Sequence, residues 1–327
     1  METIFEPLHT PVAGRYDVIV TGGGPAGCCA AIAAARAGAN TLLIERQNCL
    51  GGMWTSGFVN PVFDHENKTG ILHELIDALD KQGAWGGFWN ESTSYEHMKC
   101  LLEQKALEAG VTLLYQATFA KAIMDGRRIT GVICETIGGR RAYCADFVID
   151  CTGDALLARS AGAQTIQADS STRQAMTLMF LVGNIPEKYH SGALLKTVFH
   201  DMFQKAGKPL PFDMPYLIPA AGAHFGVIQY THMYGLDPDS PEDLTAAAIE
   251  GRRQMMEAMT LLKEYDKDLC GLELICSAPV MGVRESVQIV GEYTLTADDL
   301  FSGAAFYDRV TQATFNIDIH TQENLGQ

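Results

Sequence analysis

Three glycines define the first region that could do chemistry. Gly22-x-Gly24-x-x-Gly27 directly follows a short apolar run at 16–21 and opens a run of small residues at 28–37. Each glycine meets a separate demand. The first permits a tight turn, the second lets backbone approach a pyrophosphate, and the third lets a helix pack closely on a strand. A helix starting there offers unpaired N–H groups and a positive dipole end to phosphate. Glu45 closes the next apolar run, 18 residues after Gly27. A carboxylate there can accept ribose hydroxyls and would repel a 2′-phosphate. The pattern predicts dinucleotide binding and leaves FAD and NAD both open.

Other residue types offer weaker chemistry. Arg284 is the polar residue of most interest beyond the glycine loop. It could hold an anionic substrate or the negative pole of a cofactor, or simply pair with Glu285 or Glu292. His224 and His232 flank an apolar stretch and could act as acid or base. Structural packing is the expectation for both. Asp64 and His65 could reach a cofactor edge, and an aromatic loop from Trp85 to Trp89 could cover a substrate; packing is the simpler role. Cys49 precedes a second glycine pair, but none of the nine cysteines forms a CxxC pair, which disfavours disulfide-reductase chemistry. No histidine pair has metal spacing, so no metal is expected.

The elements that must position these groups follow from local pattern. Residues 16–21 and 41–45 read as buried parallel strands around a helix, a βαβ unit of about thirty residues. Residues 1–15 read as an arm. A helix is expected over 71–81, and a capping box at 93–96 before a helix ending at Glu108. Strands at 111–115, 119–124 and 129–135 suggest a small meander. Residues 146–150 form a further buried strand, from which Cys151-Thr-Gly-Asp154 turns. Beyond Gln164, methionines and aromatics increase and prolines cluster at 209, 211, 215 and 219. There a helix is expected over 244–262, with strands at 272–276 and 286–293. The expected organisation is an arm (1–15), a nucleotide-binding α/β domain of Rossmann type with inserted helices and a meander (16–163), and an α+β substrate-side domain (164–327).

Composition narrows the class. The 327 residues are 47% apolar and 19% charged, a globular balance. A net charge of −15 argues against nucleic acid and anionic membrane surfaces as partners. The start METIFEPLHT has no signal-peptide pattern, and no run approaches a membrane span. An odd cysteine count without zinc spacing suggests reduced, buried thiols and a cytoplasmic setting.

The text Asp17-Val-Ile-Val-Thr-Gly-Gly-Gly-Pro-Ala-Gly27, Leu43-Ile-Glu-Arg46 and Leu50-Gly-Gly-Met-Trp-Thr-Ser-Gly57 resembles the FAD-dependent oxidoreductases related to fumarate reductase and thiazole-synthesis flavoproteins. Cys151-Thr-Gly-Asp154 resembles that family's ATGD turn, with Cys in the Ala place, and Gly282-Val-Arg-Glu-Ser286 its GxRES segment. The resemblance implies FAD as cofactor. It implies that Gly22, Gly24, Pro25, Ala26 and Gly27 face the pyrophosphate, and Glu45 and Arg46 the adenosine ribose. Gly51, Gly52 and Thr55 would approach the pyrophosphate and ribityl side. Phe119 would meet adenine through its backbone, and Thr152 and Gly153 would line the pyrophosphate edge. The activity implied is hydride transfer between flavin and a small organic substrate. The family's later flavin-contacting segment has no counterpart before Gln327. A shortened chain with weak flavin retention, and exposed apolar surface on the nucleotide domain, is therefore expected. A dinucleotide-binding protein without turnover is the second reading.

Overall fold

The computed structural model describes residues 2–66, 68–87, 91–190, 193–221 and 224–321. In chain order the elements begin with β1 (Val12–Thr21), α1 (Pro25–Arg36), β2 (Thr41–Ile44) and α2 (Ile71–Lys81). They continue with β3 (Trp85–Gly86), β4 (Ser92–Thr93), α3 (Tyr95–Glu108), β5 (Thr112–Leu114), β6 (Ala117–Asp125), β7 (Arg128–Thr136) and β8 (Gly139–Asp150). After α4 (Leu156–Ser160) come β9 (Thr165–Gln167), β10 (Phe180–Gly183), α5 (Ala193–Ala206), β11 (Tyr216–Pro219) and β12 (Phe225–Gln229). The last are α6 (Pro241–Tyr265), β13 (Glu273–Ser277), β14 (Val287–Ile289) and α7 (Ala297–Ser302).

The chain divides into two compact units. One comprises Met1–Gly51 and Leu102–Gln164, the other Gly52–Leu101 and Thr165–Gln327. The division differs from the contiguous one expected above. Residues 52–101 group with the second unit, because their apolar side chains (Phe58, Tyr95) belong to its core. The first strand also begins at Val12, inside the expected arm, where it finds a partner in the unusually long β8.

The first unit is a six-stranded sheet in the order β5-β2-β1-β8-β7-β6. β1 pairs in parallel with β2 and with β8, and β2 with β5. The strand 146–150 therefore lies beside 16–21, as the sequence implies. β8 is shared: its first half pairs antiparallel with β7, and β7 with β6. Residues 111–115, expected in the meander, instead supply the parallel edge strand β5. The meander's third strand is the start of β8. Ile19, Leu42, Ile44, Val132 and Tyr143 form the core of this unit. α1 is nearly all small residues, which is what allows it to lie close against the sheet.

The second unit carries an antiparallel sheet in the order β11-β12-β10-β13. α5 and α6 cover it with Phe199, Phe203, Met255, Met259 and Leu262, packed on Phe180, Ile228 and Tyr230. The 25-residue α6 starts at Pro241 behind Ser240, whose hydroxyl accepts from the Asp243 N–H. Such a cap stabilises by about 1 kcal/mol. The expected strand 286–293 is reduced to Val287–Ile289, paired with β9. The expected capping box fails too: α3 begins at Tyr95, and the Ser94 hydroxyl meets His97.

Among the described residues no helix is long and apolar enough to cross a membrane. Exposed large apolar side chains occur in both units: Ile4, Phe5, Leu8, Val12, Ile137 and Phe147 in the first, and Ile289, Leu300, Phe301, Val310 and Phe315 in the tail of the second.

Candidate cofactor cradle and a buried polar set

Parallel register brings the glycine loop and its neighbours to one edge. Thr21 is paired with Ile44 on one side and with Asp150 on the other. Three chain segments therefore leave the sheet together at its carboxyl end. They are Gly22–Gly24, the stretch from Glu45, and Cys151–Gly153. Backbone bonds hold the exits: Gly22 N–H to Ile44 O at 2.8 Å, Cys151 N–H to Thr21 O at 2.8 Å, and Gly51 N–H to Gly23 O at 2.8 Å. In the order β5-β2-β1-β8-β7-β6 the chain runs outward from β1 through β2 to β5 and comes back to β1's other side through β6, β7 and β8; open α/β sheets bind ligands beyond the carboxyl ends of strands where the order reverses.

The three glycines are required for different reasons. Gly22 has φ +99, and a Cβ there would lie 2.2 Å from the Cys151 carbonyl oxygen. At Gly27 a Cβ would lie 1.8 Å from Gly22 O. At Gly24 a Cβ would meet nothing within 4 Å, so this glycine fronts open space. Gly24 is also the N-cap of α1. No side chain caps that helix, and Pro25 occupies its first turn. Its leading N–H groups, of which Pro25 has none, therefore have no side-chain cap. Ala26 is exposed beside them.

Glu45 is buried and fixed by two backbone donors. Its Oε2 accepts from Gly23 N–H at 2.6 Å and its Oε1 from Gln47 N–H at 2.7 Å. An ionised carboxylate has roughly four acceptor positions, so about two remain open. Arg46 is exposed next to it. Asp150 organises the opposite wall. It accepts from Thr152 N–H (3.0 Å), the Thr152 hydroxyl (2.7 Å) and Ala158 N–H (3.0 Å). Gly153, at φ +87, has open space where a side chain would be. Phe119 lies on β6, opposite Cys134 and followed by a register shift.

Gly52 and Thr55 belong to the second unit. There Thr55 is buried, with its N–H on Gly52 O at 3.2 Å. Cys28 is buried behind the glycine loop and its thiol is pushed up to about 12 by burial; burial raises Cys29 and Cys151 likewise. These thiols stay protonated at neutral pH. Cys100, Cys270 and Cys276 are exposed, where the sequence suggests buried thiols.

A second constellation lies wholly in the second unit, and most of it escaped the sequence reading. His232 and His320 are both buried, with His232 Nε2 3.3 Å from His320 Nδ1. His320 Nε2 lies 2.9 Å from Asp318. Phe212 stacks on His232 at 4.0 Å, and Gln254 Oε1 accepts the His232 N–H at 3.0 Å. Burial, then the Arg284 charge, push His232 down to about 3. Burial and Arg284 lower His320 also, opposed by Asp318. The Arg284 Nε is buried and makes no hydrogen bond. Neither acid proposed for it serves: Glu285 accepts from the Gln174 N–H, and Glu292 is exposed. The sequence signal that could have revealed the set is the Asp318-x-His320 spacing. The remaining candidates do not join it. His224 is exposed. Asp64 is held near 2 by Thr314 and Lys68, tying the tail down. His65 packs edge-on against Trp85, and Trp89 lies outside the described residues.

Comparison with known proteins bears on both units. A family model described as FAD dependent oxidoreductase matches residues 17–327. Thiamine thiazole synthase of Aeropyrum pernix is 35% identical over 159 residues, 44% of this chain and 57% of that protein. That of Methanococcus vannielii is 26% identical over 225 residues, 59% of this chain and 85% of that protein. Two solved structures resemble the fold at low identity. A myxobacterial FAD-dependent chondrochloren halogenase has TM-score 0.54 at 14% identity, covering 84% of this chain and 64% of its own. A geranylgeranyl bacteriochlorophyll reductase-like protein of Thermoplasma acidophilum has TM-score 0.51 at 16% identity, covering 82% and 66%.

Proposed function

The chain belongs to the FAD-dependent oxidoreductase family, and from that premise we propose that it transfers hydride between bound FAD and a small organic substrate. The observation that carries the cofactor half is the open floor at Gly24 before the uncapped start of α1. Backbone N–H groups of Gly24, Ala26 and Gly27 bind the pyrophosphate there, with Gly22 and Pro25 shaping the turn. Glu45 accepts from the ribose, with Arg46 at its outer side. Thr152 and Gly153 line the pyrophosphate edge, Phe119 presents backbone to adenine, and Gly51 serves the ribityl side. When bound, FAD supplies the two-electron chemistry; the protein orients the substrate and excludes water. The protonated thiols behind the loop argue against a thiolate-based reductase.

The test is the spectrum of the purified chain after incubation with FAD, followed by anaerobic addition of a library of small organic molecules. A yellow protein whose flavin band bleaches with one substrate class is expected, more slowly when the transferred hydrogen is deuterium. A protein that binds ADP but stays colourless with FAD would favour the second reading, dinucleotide binding without turnover.

A further inference from the structure

The buried set of the second unit is short of both an anion and a proton. Arginine stays charged in proteins. A buried guanidinium without an anionic partner is costly, so its partner is to be sought outside the chain. Arg284, itself half-buried, comes close to that position: its Nε is buried and unpaired, and Asp318, the carboxylate that acts on it, is hydrogen-bonded to His320 instead. The charged and titratable groups around it come from several segments. Asp318 belongs to the tail, Tyr234 to the stretch after β12, and His232 and His320 complete the ring. Tyr216, on β11, feels Asp318, and Asp213 acts on Tyr234.

The proton shortage follows from counting N–H groups. Three contacts need one each: His232 Nδ1 to Tyr230 O at 3.3 Å, His232 Nε2 with His320 Nδ1 at 3.3 Å, and His320 Nε2 with Asp318 at 2.9 Å. Tyr230 O and the carboxylate can only accept. Two neutral imidazoles carry two N–H groups. If Asp318 takes one and the histidine pair shares the other, His232 Nδ1 faces a carbonyl with no hydrogen between them. A third proton satisfies all three contacts and leaves an imidazolium at His320 against Asp318. What opposes it, besides burial, is the positive charge of Arg284.

We propose that Arg284 binds a carboxylate-bearing ligand and that its binding loads a solvent proton onto His320. The planar guanidinium fork matches a planar carboxylate, and its single positive charge balances one carboxylate but leaves a buried phosphate dianion half-neutralised. Once the ligand neutralises Arg284, the proton's main electrostatic opponent is gone. His320 then holds an acidic proton beside the ligand's anchor point. His232 is a positioning residue, clamped by Phe212, Tyr230 and Gln254, and it fixes which nitrogen of His320 is protonated. As a statement about what the substrate side takes, the inference rests on the oxidoreductase reading. As a statement about an anion and a proton, it is testable without flavin.

The experiment is an imidazole NMR titration of the full chain at constant ionic strength, with propionate and separately with inorganic phosphate. The His320 resonance is assigned from His320→Gln. Propionate should raise the His320 midpoint, on the order of one pH unit. Arg284→Gln should raise it without propionate and abolish the response. Arg284→Lys keeps the charge and should keep a weakened response, which covers the case in which Arg284→Gln does not fold. An unmoved His320 midpoint in the wild-type chain would overturn the inference, as would an undiminished response in Arg284→Gln. A response to phosphate but not propionate would overturn the carboxylate assignment. Because no flavin is present, each of these failures leaves the FAD reading standing.

Discussion

The two units encode their candidate sites in different ways. In the first, the site is made of backbone: a turn, an uncapped helix start and glycines that leave room, with one buried carboxylate to brace them. In the second, it is made of side chains that meet from distant segments, Arg284, His232 and His320, with no backbone signature. A backbone site fails through shape. A side-chain site fails through charge. The contrast can be broken or sharpened by perturbing each unit in the manner that should hurt it and in the manner that should not.

The largest effect is expected at Gly22. Gly22→Ala combines a positive φ with a Cβ placed 2.2 Å from the Cys151 carbonyl oxygen. The strain and the forced shift together should cost on the order of 3 kcal/mol or more. Urea unfolding should show a large drop in midpoint, with nucleotide binding lost as a consequence. A variant as stable as the parent would mean that the turn is not built as described.

Next is a charge perturbation confined to the second unit. His232 is held neutral to about pH 3 by burial and Arg284, whereas in the unfolded chain it titrates near 6.5. The unfolded state therefore takes up a proton below pH 6.5 that the folded state refuses. Stability is unaffected above that value and falls as pH decreases from 6.5 toward 3. By pH 5 the loss from this residue is about 2 kcal/mol, and His320, also lowered, adds to it in the same direction. His232→Phe should flatten that part of the pH–stability curve. An unchanged slope would show that His232 is not the group responsible.

How much could be read from the sequence follows the same contrast. The strand, glycine loop, helix, strand and Glu45 lie within about thirty residues, and their spacing alone places them at one sheet edge. The strand 146–150 was also legible from its apolar run. Residues 111–115 were misplaced because an apolar strand does not announce whether its neighbour will be parallel or antiparallel. The grouping of 52–101 with the second unit depends on Phe58 and Tyr95 sharing a core with Met176 and Val227, residues 81 to 169 positions away that no local pattern links. His320 was invisible for the same reason. Its partners His232 and Arg284 are 88 and 36 residues away in sequence, and the short Asp318-x-His320 spacing points to neither of them.

A milder effect is expected at Glu45. Glu45→Gln keeps the shape but removes the charge that accepts from the Gly23 and Gln47 N–H groups and, in the proposed site, from the ribose. Hydrogen bonds to a charged group contribute about 1.5–3 kcal/mol, and part of that survives in the amide. ADP affinity measured by calorimetry should fall roughly tenfold or somewhat less, with only a small change in unfolding midpoint. Unchanged affinity would remove Glu45 from the nucleotide site.

The smallest change tests the backbone site most sharply, because it separates room for the fold from room for the ligand. Gly24 has φ −69, which any residue adopts, and a Cβ there would touch nothing. Gly24→Ala should therefore fold as well as the parent, within about 0.5 kcal/mol, as substitutions away from strained or packed features do. If the open space is where a pyrophosphate approaches the helix start, the added methyl intrudes on the ligand instead. Affinity for ADP should then fall by roughly tenfold, about 1.4 kcal/mol, while adenosine, lacking the phosphates, loses little. Equal losses for ADP and adenosine would place the methyl against the nucleoside. Loss of stability would mean that the space over Gly24 is filled by the protein itself. Only the selective loss of the diphosphate fits a cradle whose second glycine serves the ligand while its first and third serve the fold.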